Sequence, residues 1–509
     1  MITNKKEFPP LPSQRKHKRR AKPSLAPPAK KSAIAKLDDL PDELLLEILE
    51  YLPCPDWEGD NLKTIASLSL TNRRLHYMVE GKLYLVYNGF FHNPYLFLRA
   101  CASNSRIAEK VRALTFGYNT AIDGTGPENY CPSLPDRRDI KAALKRMNIP
   151  DWKAWATKCN DEETNREILF ATILMHTPKV AALDIQDGKL PYGSPKWLDL
   201  IRYAANGRVF GHMHLFQHLN SIKVDVGWLD LRQMMPLFRL PSLRALTIND
   251  LAEDEGSHPE VTLANASISA GSSLIEKLSL SAYIRSSSIA VCLEACRALR
   301  IFGYGHVSYV NSKIDCLRYP VIYAGLQRHQ KSLERLMLNE YFDENRPAIS
   351  QTGTMGDLRD FTNLSYLEVP LVVLTKVYAG SCTALPQTLP PSLKSFTPSI
   401  GEGDYEKHCV FALKHMAYSC RTDVPLLEEL TLVVQGILDS EDLYDWKGLQ
   451  KIFRVSAGLC LQLQLPEDLE NDSEFWKNVM GSSVDESETT TESDTDDSDD
   501  SCDSDAPDE

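Results

Sequence analysis

Leu243-Arg244-Ala245-Leu246-Thr247-Ile248 carries the pattern on which the fold of this chain turns: apolar, two residues, apolar, one residue, apolar. In an extended segment residues two apart share a face, so Leu246 and Ile248 point one way and Thr247 the other. Leu243, three residues earlier, turns the corner into the same interior. One such unit cannot bury its own apolar side and needs a copy of itself on each flank. The copies are there. Toward the N-terminus the shape returns at Leu219, Ile222, Val224, then at Val180, Leu183, Ile185, and first at Val111-Arg112-Ala113-Leu114-Thr115-Phe116. Toward the C-terminus it returns at Ile275, Leu278, Leu280, at Leu299, Phe302, Tyr304 and at Leu333, Leu336, Leu338. Leu364, Leu367, Val369 and Leu427, Leu430, Leu432 continue it, with Leu393, Phe396, Pro398 between them as a poor copy.

Successive starts from Leu219 lie 24, 32, 24, 34, 31, 29 and 34 residues apart. Helical periodicity falls in the gaps, over 165–176, 196–205, 288–296, 321–330 and 409–420. The arrangement resembles leucine-rich repeats of loose, variable length. That resemblance implies an α/β solenoid over 111–480, its strand-then-helix units joined by right-handed crossovers. It also implies a concave target face built from the residues between the inward strand positions. In register these include Asp184, Lys223, Asp225, Thr247, Asn249, Ser279, Arg335, Asn339, Tyr366, Glu368, Glu429 and Thr431. Charges, amides and one ring suit a polar protein or peptide epitope, and individually each is also an ordinary solvated strand residue. Residues 117–160 break the rhythm with Gly124, Gly126, Pro127, Pro132 and Pro135, a basic helical stretch over 137–147, then Trp152 and Trp155. They read as an insertion, either a partner-contact loop or a loop packed over the end of the array. Leu459, Leu461, Leu463 and Leu465 alternate with polar residues, which predicts a last strand that closes the array with Phe475 and Trp476.

The segment ahead of the repeats is different in kind. Leu44, Ile48 and Leu52 recur every four residues, while Leu45, Leu46 and Leu49 spread the apolar surface beyond one stripe. A short helix that is apolar on more than one side needs two surfaces to bury against. Pro41 suits a first helical position, and Asp42 and Glu43 favour the helix N-terminus. Leu40-Pro41-x-Glu43-Leu44, Ile48, Leu52, then Leu68-Ser69-Leu70-Thr71-Asn72-Arg73-Arg74-Leu75 and Leu83-Tyr84, resemble an F-box over 37–86. The sequence departs from that family in a long loop over 53–61, in Thr71 where many members carry Cys, and in Tyr84 where Trp is frequent. The resemblance, to a fungal-type F-box protein with degenerate repeats, implies a substrate receptor of a Skp–cullin–F-box ubiquitin ligase. Its partners would be a Skp-type adaptor, a cullin scaffold and a protein target. Leu40, Pro41, Leu44, Ile48, Leu52 and Leu68 would contact the adaptor. Residues 87–110 read as a joining helix.

The charge is uneven. Residues 1–36 hold eleven Lys/Arg and one acid, and residues 482–509 hold thirteen Asp/Glu and no base, in a chain of net charge −13. Both compositions predict disordered tails, basic over 1–36 and acidic over 481–509. Arg15-Lys16-His17-Lys18-Arg19-Arg20 reads either as a nuclear import signal or as a solvated basic arm. No aromatic residues interleave there for stacking, so nucleic acid is not expected as a partner. Scattered cysteines with no apolar leader predict reduced thiols in the nucleus or cytoplasm, and no apolar run is long enough for a bilayer. His212, His214 and His218, like His408, Cys409, His415 and Cys420, lack zinc-ligand spacing, although His212 and His214 could share a strand face. Neither nucleophile–base pairing nor a phosphate loop is evident, so no metal, cofactor or catalytic activity is expected. Two other readings stay open: an adaptor-bound scaffold that delivers nothing for degradation, and a nuclear or chromatin regulatory repeat protein.

Overall fold

The computed structural model describes residues 40–51, 60–90, 92–118, 132–160, 166–186, 195–208, 210–225, 229–253, 261–306, 317–340, 353–375, 385–400, 406–434 and 446–464. The expected tails, Leu52, Leu465, Phe475 and Trp476 lie outside them. The chain divides into two compact units, one ending at Cys54 and one beginning at Pro55.

The described part of the first unit is helix α1 (Asp42–Tyr51). It starts one residue later than the proline suggested. Pro41 stands just outside and its carbonyl accepts the Leu45 N–H at 3.1 Å. The second unit opens with α2 (Asp60–Ser69) and α3 (Arg73–Leu83), which pack together. Asn72 caps α3, its side chain accepting the Leu75 N–H at 2.8 Å.

A parallel sheet of twelve strands then runs in strict chain order. Its first half is β1 (Val86–Asn88), β2 (Ala113–Gly117), β3 (Ala182–Gln186), β4 (Ser221–Asp225), β5 (Ala245–Ala252) and β6 (Lys277–Tyr283). Its second half is β7 (Ile301–His306), β8 (Arg335–Glu340), β9 (Tyr366–Pro370), β10 (Ser395–Ile400), β11 (Glu429–Val434) and β12 (Leu461–Gln464). The repeated apolar positions become ladders. Leu114, Leu183, Ile222, Leu246, Leu278, Phe302, Leu336, Leu367, Phe396, Leu430 and Leu461 stand in register from β2 to β12. All are buried, as are the corner residues Val180, Leu219, Leu243, Ile275, Leu299, Leu333 and Leu364. The residues between them are mostly half-buried or exposed. One face of the sheet is therefore covered and the other open.

The cover is supplied by the crossovers. They contain α4 (Pro94–Ser103), α5 (Ser105–Ala108), α6 (Leu134–Arg146), α7 (Trp152–Cys159), α8 (Arg166–His176), α9 (Lys196–Ala205) and α10 (Leu231–Met234). After β6 come α11 (Ser286–Ala295), α12 (Tyr319–Leu326), α13 (Leu371–Leu374), α14 (Glu406–Asp423) and α15 (Trp446–Ile452). Ile173, Trp197, Ile201, Leu293, Ile322 and Met416 join the strand ladders in one core. Glu253 at the end of β5 fastens α11: its buried carboxylate accepts the Arg285 N–H and the Ser288 hydroxyl, each at 3.0 Å.

Several expectations are corrected. The region read as one joining helix holds strand β1 and two helices, because Asn104 is extended and caps α5 with its side chain. The imperfect copy at Leu393, Phe396, Pro398 is a full strand. Pairing with β11 holds at Ser395, Phe396, Ser399 and Ile400 and lapses over Thr397 and Pro398, the proline having no N–H to donate. The described part of the insertion packs as two helices rather than a loop: the stretch expected to be helical lies in α6, and with α7 it buries Ile140, Leu144 and Cys159 in the shared core, within the β2–β3 crossover. His212 and His214 lie on a loop, not a strand. His214 Nε2 is bonded to the Leu174 carbonyl oxygen at 2.9 Å and His212 Nδ1 to that of Arg146 at 3.3 Å.

Candidate functional site

Helix α1 has two apolar faces with different fates. Leu45 and Leu49, one turn apart, are each only 2% exposed. Leu44 and Ile48, also one turn apart, remain 44% and 43% exposed, Leu46 47% and Tyr51 82%. Residues 44, 48 and 51 stack on one side of a helix, so they form an apolar stripe. Of the residues picked from sequence, Leu44 and Ile48 lie on that stripe, Pro41 is exposed and Leu40 half-buried. Leu46 and Tyr51 add to the exposed apolar surface beyond the residues expected from sequence, Tyr51 lying three residues past Ile48.

The second unit begins with further apolar surface. Ile65, Leu75 and Val79 are buried between α2 and α3. Leu68 is half-buried, whereas Leu70 is 85% exposed. Tyr77 on α3 is exposed as well. The far end of α3 is tied down by Glu80, whose carboxylate meets Lys110 Nζ at 2.6 Å. That hydrogen bond, aided by the charge of Lys110, holds the Glu80 pKa below the ordinary carboxylate range.

On the open face of the sheet, the twelve residues picked from the repeat register fall in rows. Asp184, Lys223, Thr247 and Ser279 stand side by side on β3 to β6, followed by Gly303, Met337 and Glu368 on β7 to β9. Asp225 pairs in register with Asn249, Arg335 with Tyr366, and Thr431 with Gln462. Glu429 continues the row of Arg335 and Tyr366 through Ser395, while Asn339 pairs with Gly305 on β7. Gly303, Met337 and Gln462 obey the same register and belong to the face as well.

Two groups are brought into contact. Arg335 lies over the Tyr366 ring, 4.4 Å from its centre. The Tyr366 hydroxyl donates to Glu368 Oε2 at 2.8 Å and Asn339 Nδ2 to Oε1 at 2.9 Å. Burial, with the neighbouring carboxylate, raises the Tyr366 pKa, so the ring stays a neutral donor. Arg335 itself stays exposed on the open face, attracted to the electron-rich ring beneath it. The second group surrounds Asp184, in a depression of about 320 Å³ lined also by Asn88, Thr115 and Lys223. Gln186 Nε2 donates to Asp184 Oδ2 at 3.0 Å, while Oδ1 is occluded without a hydrogen bond. Desolvation raises the Asp184 pKa against the opposing pull of Gln186 and Lys223.

No set of side chains able to hold a metal ion occurs among the described residues. No described helix is long and apolar enough to cross a membrane. Burial pushes the thiols of Cys101, Cys159 and Cys292 up to about 12. Such thiols are poor nucleophiles. Compared with known proteins, residues 37–91 match the F-box-like family, so an F-box-like domain lies near the N-terminus. No curated protein matches the chain.

Proposed function

We propose that the protein is a non-catalytic substrate receptor of a Skp–cullin–F-box ubiquitin ligase. The observation that carries this reading is the exposed Leu44, Ile48 and Tyr51 stripe inside the segment that matches the F-box-like family. In this reading the stripe lies in a groove of a Skp-type adaptor as a helix-in-groove contact, and Leu40, Pro41, Leu52 and Leu68 are the further adaptor contacts the resemblance implies. Truncating a central contact would cost about 1–3 kcal/mol of binding. The twelve-stranded sheet is then a leucine-rich-repeat solenoid, supported by its chain-order parallel pairing and its buried ladders. Its open face holds the protein target, and the cullin complex brings a ubiquitin-charged enzyme to it. The work is tethering, which replaces a bimolecular encounter by a high local concentration. Nuclear or cytoplasmic residence follows this reading, with residues 15–20 as the import signal.

The test is affinity capture of the full chain with the proteasome inhibited, beside a Leu44→Asp, Ile48→Asp variant. The expected result is loss of adaptor and cullin from the variant, an unchanged melting temperature, and target proteins retained and enriched. Equal adaptor capture by both chains would overturn the assignment. Adaptor captured without cullin would favour the scaffold reading.

A further inference from the structure

Helices α6 and α7 frame an open groove of about 660 Å³ on the second unit. Arg137, Arg138 and Lys141 line it from α6 and Lys153 from α7, with Thr157 and Asn160 at its edge. Positions 134, 137, 138 and 141 fall on one helix face, which gathers the three cations into one stripe. Of the acids on α6, Asp136 is turned to Arg99 at 3.0 Å and Asp139 falls off that stripe. None of the residues lining the groove is a carboxylate. Arg138, Lys141 and Lys153 have no ion-pair partner among the described residues. Like charges three and four residues apart repel, so the cluster favours an anionic occupant.

One stretch of this chain has the complementary charge in quantity. Residues 482–509 hold thirteen carboxylates and no base. We infer that this acidic segment of the same chain docks in the basic groove between α6 and α7. The reach suffices. The groove lies on the helix layer, where nine element spacings of ~10 Å make at most roughly 90 Å. From Gln464 to Thr495, amid the acids of 482–509, the extended chain spans about 100 Å. Tethering gives the segment an effective concentration on the order of millimolar, so a separate acidic peptide must compete with it. Phosphorylation at sites such as Ser493 or Thr495 adds negative charge and strengthens the docking, while salt screens it. The inference does not depend on the adaptor contact at α1.

The test is zero-length carbodiimide cross-linking of the full chain, mixed from isotopically light and heavy protein and read by peptide mass spectrometry. At about 50 mM salt, links join the 482–509 carboxylates to Lys141 and Lys153 within one chain. They fall about fivefold or more at about 500 mM salt, and likewise in an Arg138→Glu variant whose melting temperature is unchanged. Three results would each overturn the inference. The segment's links spread evenly over Lys277, Lys331 and Lys451, which are exposed elsewhere. The links run between light and heavy chains, making a second copy the occupant. Or Lys141 and Lys153 join residues 119–131 or 161–165 instead.

Discussion

His329 lies wholly inside the core with both ring nitrogens engaged. Nε2 donates to the Leu293 carbonyl at 3.0 Å, and Nδ1 accepts the Leu299 N–H at 3.2 Å. A proton on Nδ1 would set donor against donor, and burial alone already pushes the pKa below the ordinary histidine value. The unfolded chain therefore binds this proton more readily than the folded one. The resulting stability is fully present above the unfolded pKa of about 6.5 and is lost as pH falls toward the folded value. His176 and His214 are displaced in the same direction, again chiefly by burial. Urea midpoints measured at pH 8 and pH 5 should show the drop. A His329→Gln variant should be less stable at pH 8 and lose less on acidification; an unchanged slope would remove His329 from the account. Nothing in the sequence around His329 announces this role, because the partners come from Leu293 and Leu299, thirty and more residues away.

Strands show the clearest division of labour. Phe302 and its register neighbour Leu336 are fully buried, whereas Met337, one residue on, stands on the open face. Phe302→Ala should cost about 3–5 kcal/mol, and Met337→Ala under about 1 kcal/mol. Denaturant midpoints at constant slope would read the difference. Comparable losses would mean that the open face is not open in solution. At this scale much was legible. Helix α9 and the buried ladders follow the periodicities in the sequence, since burial on one side leaves a fixed spacing of apolar residues. The bulge in β5 was not: pairing slips between Ile248 and Leu251, and Asp250 takes φ +53°. That slip sits next to Asn249, whose amide reaches Asp225 Oδ2 at 3.3 Å. Such irregularity depends on the neighbouring strand and leaves no local signature.

Across the molecule, a parallel sheet in chain order gives each strand only its two neighbours as pairing partners. Stability then adds along the array, and its ends open first. Amide exchange should be slowest in β4 to β8 and fastest in β1 and β12; uniform protection from end to end would point to global two-state opening instead. The sequence alone determined the spacing of the buried strand residues and the doubly apolar helix at the front, because each is a matter of spacing along the chain. It also located the two oppositely charged ends. Only the tertiary structure decided which apolar residues of α1 are spent internally and which stay outside, since both pairs, Leu44 with Ile48 and Leu45 with Leu49, have the same spacing. The joining of Arg335, Tyr366, Glu368 and Asn339, and the basic groove made by helices of an apparent insertion, likewise needed three dimensions. Their members come from separate elements, and charge or hydrogen-bond complementarity between distant segments has no period to read.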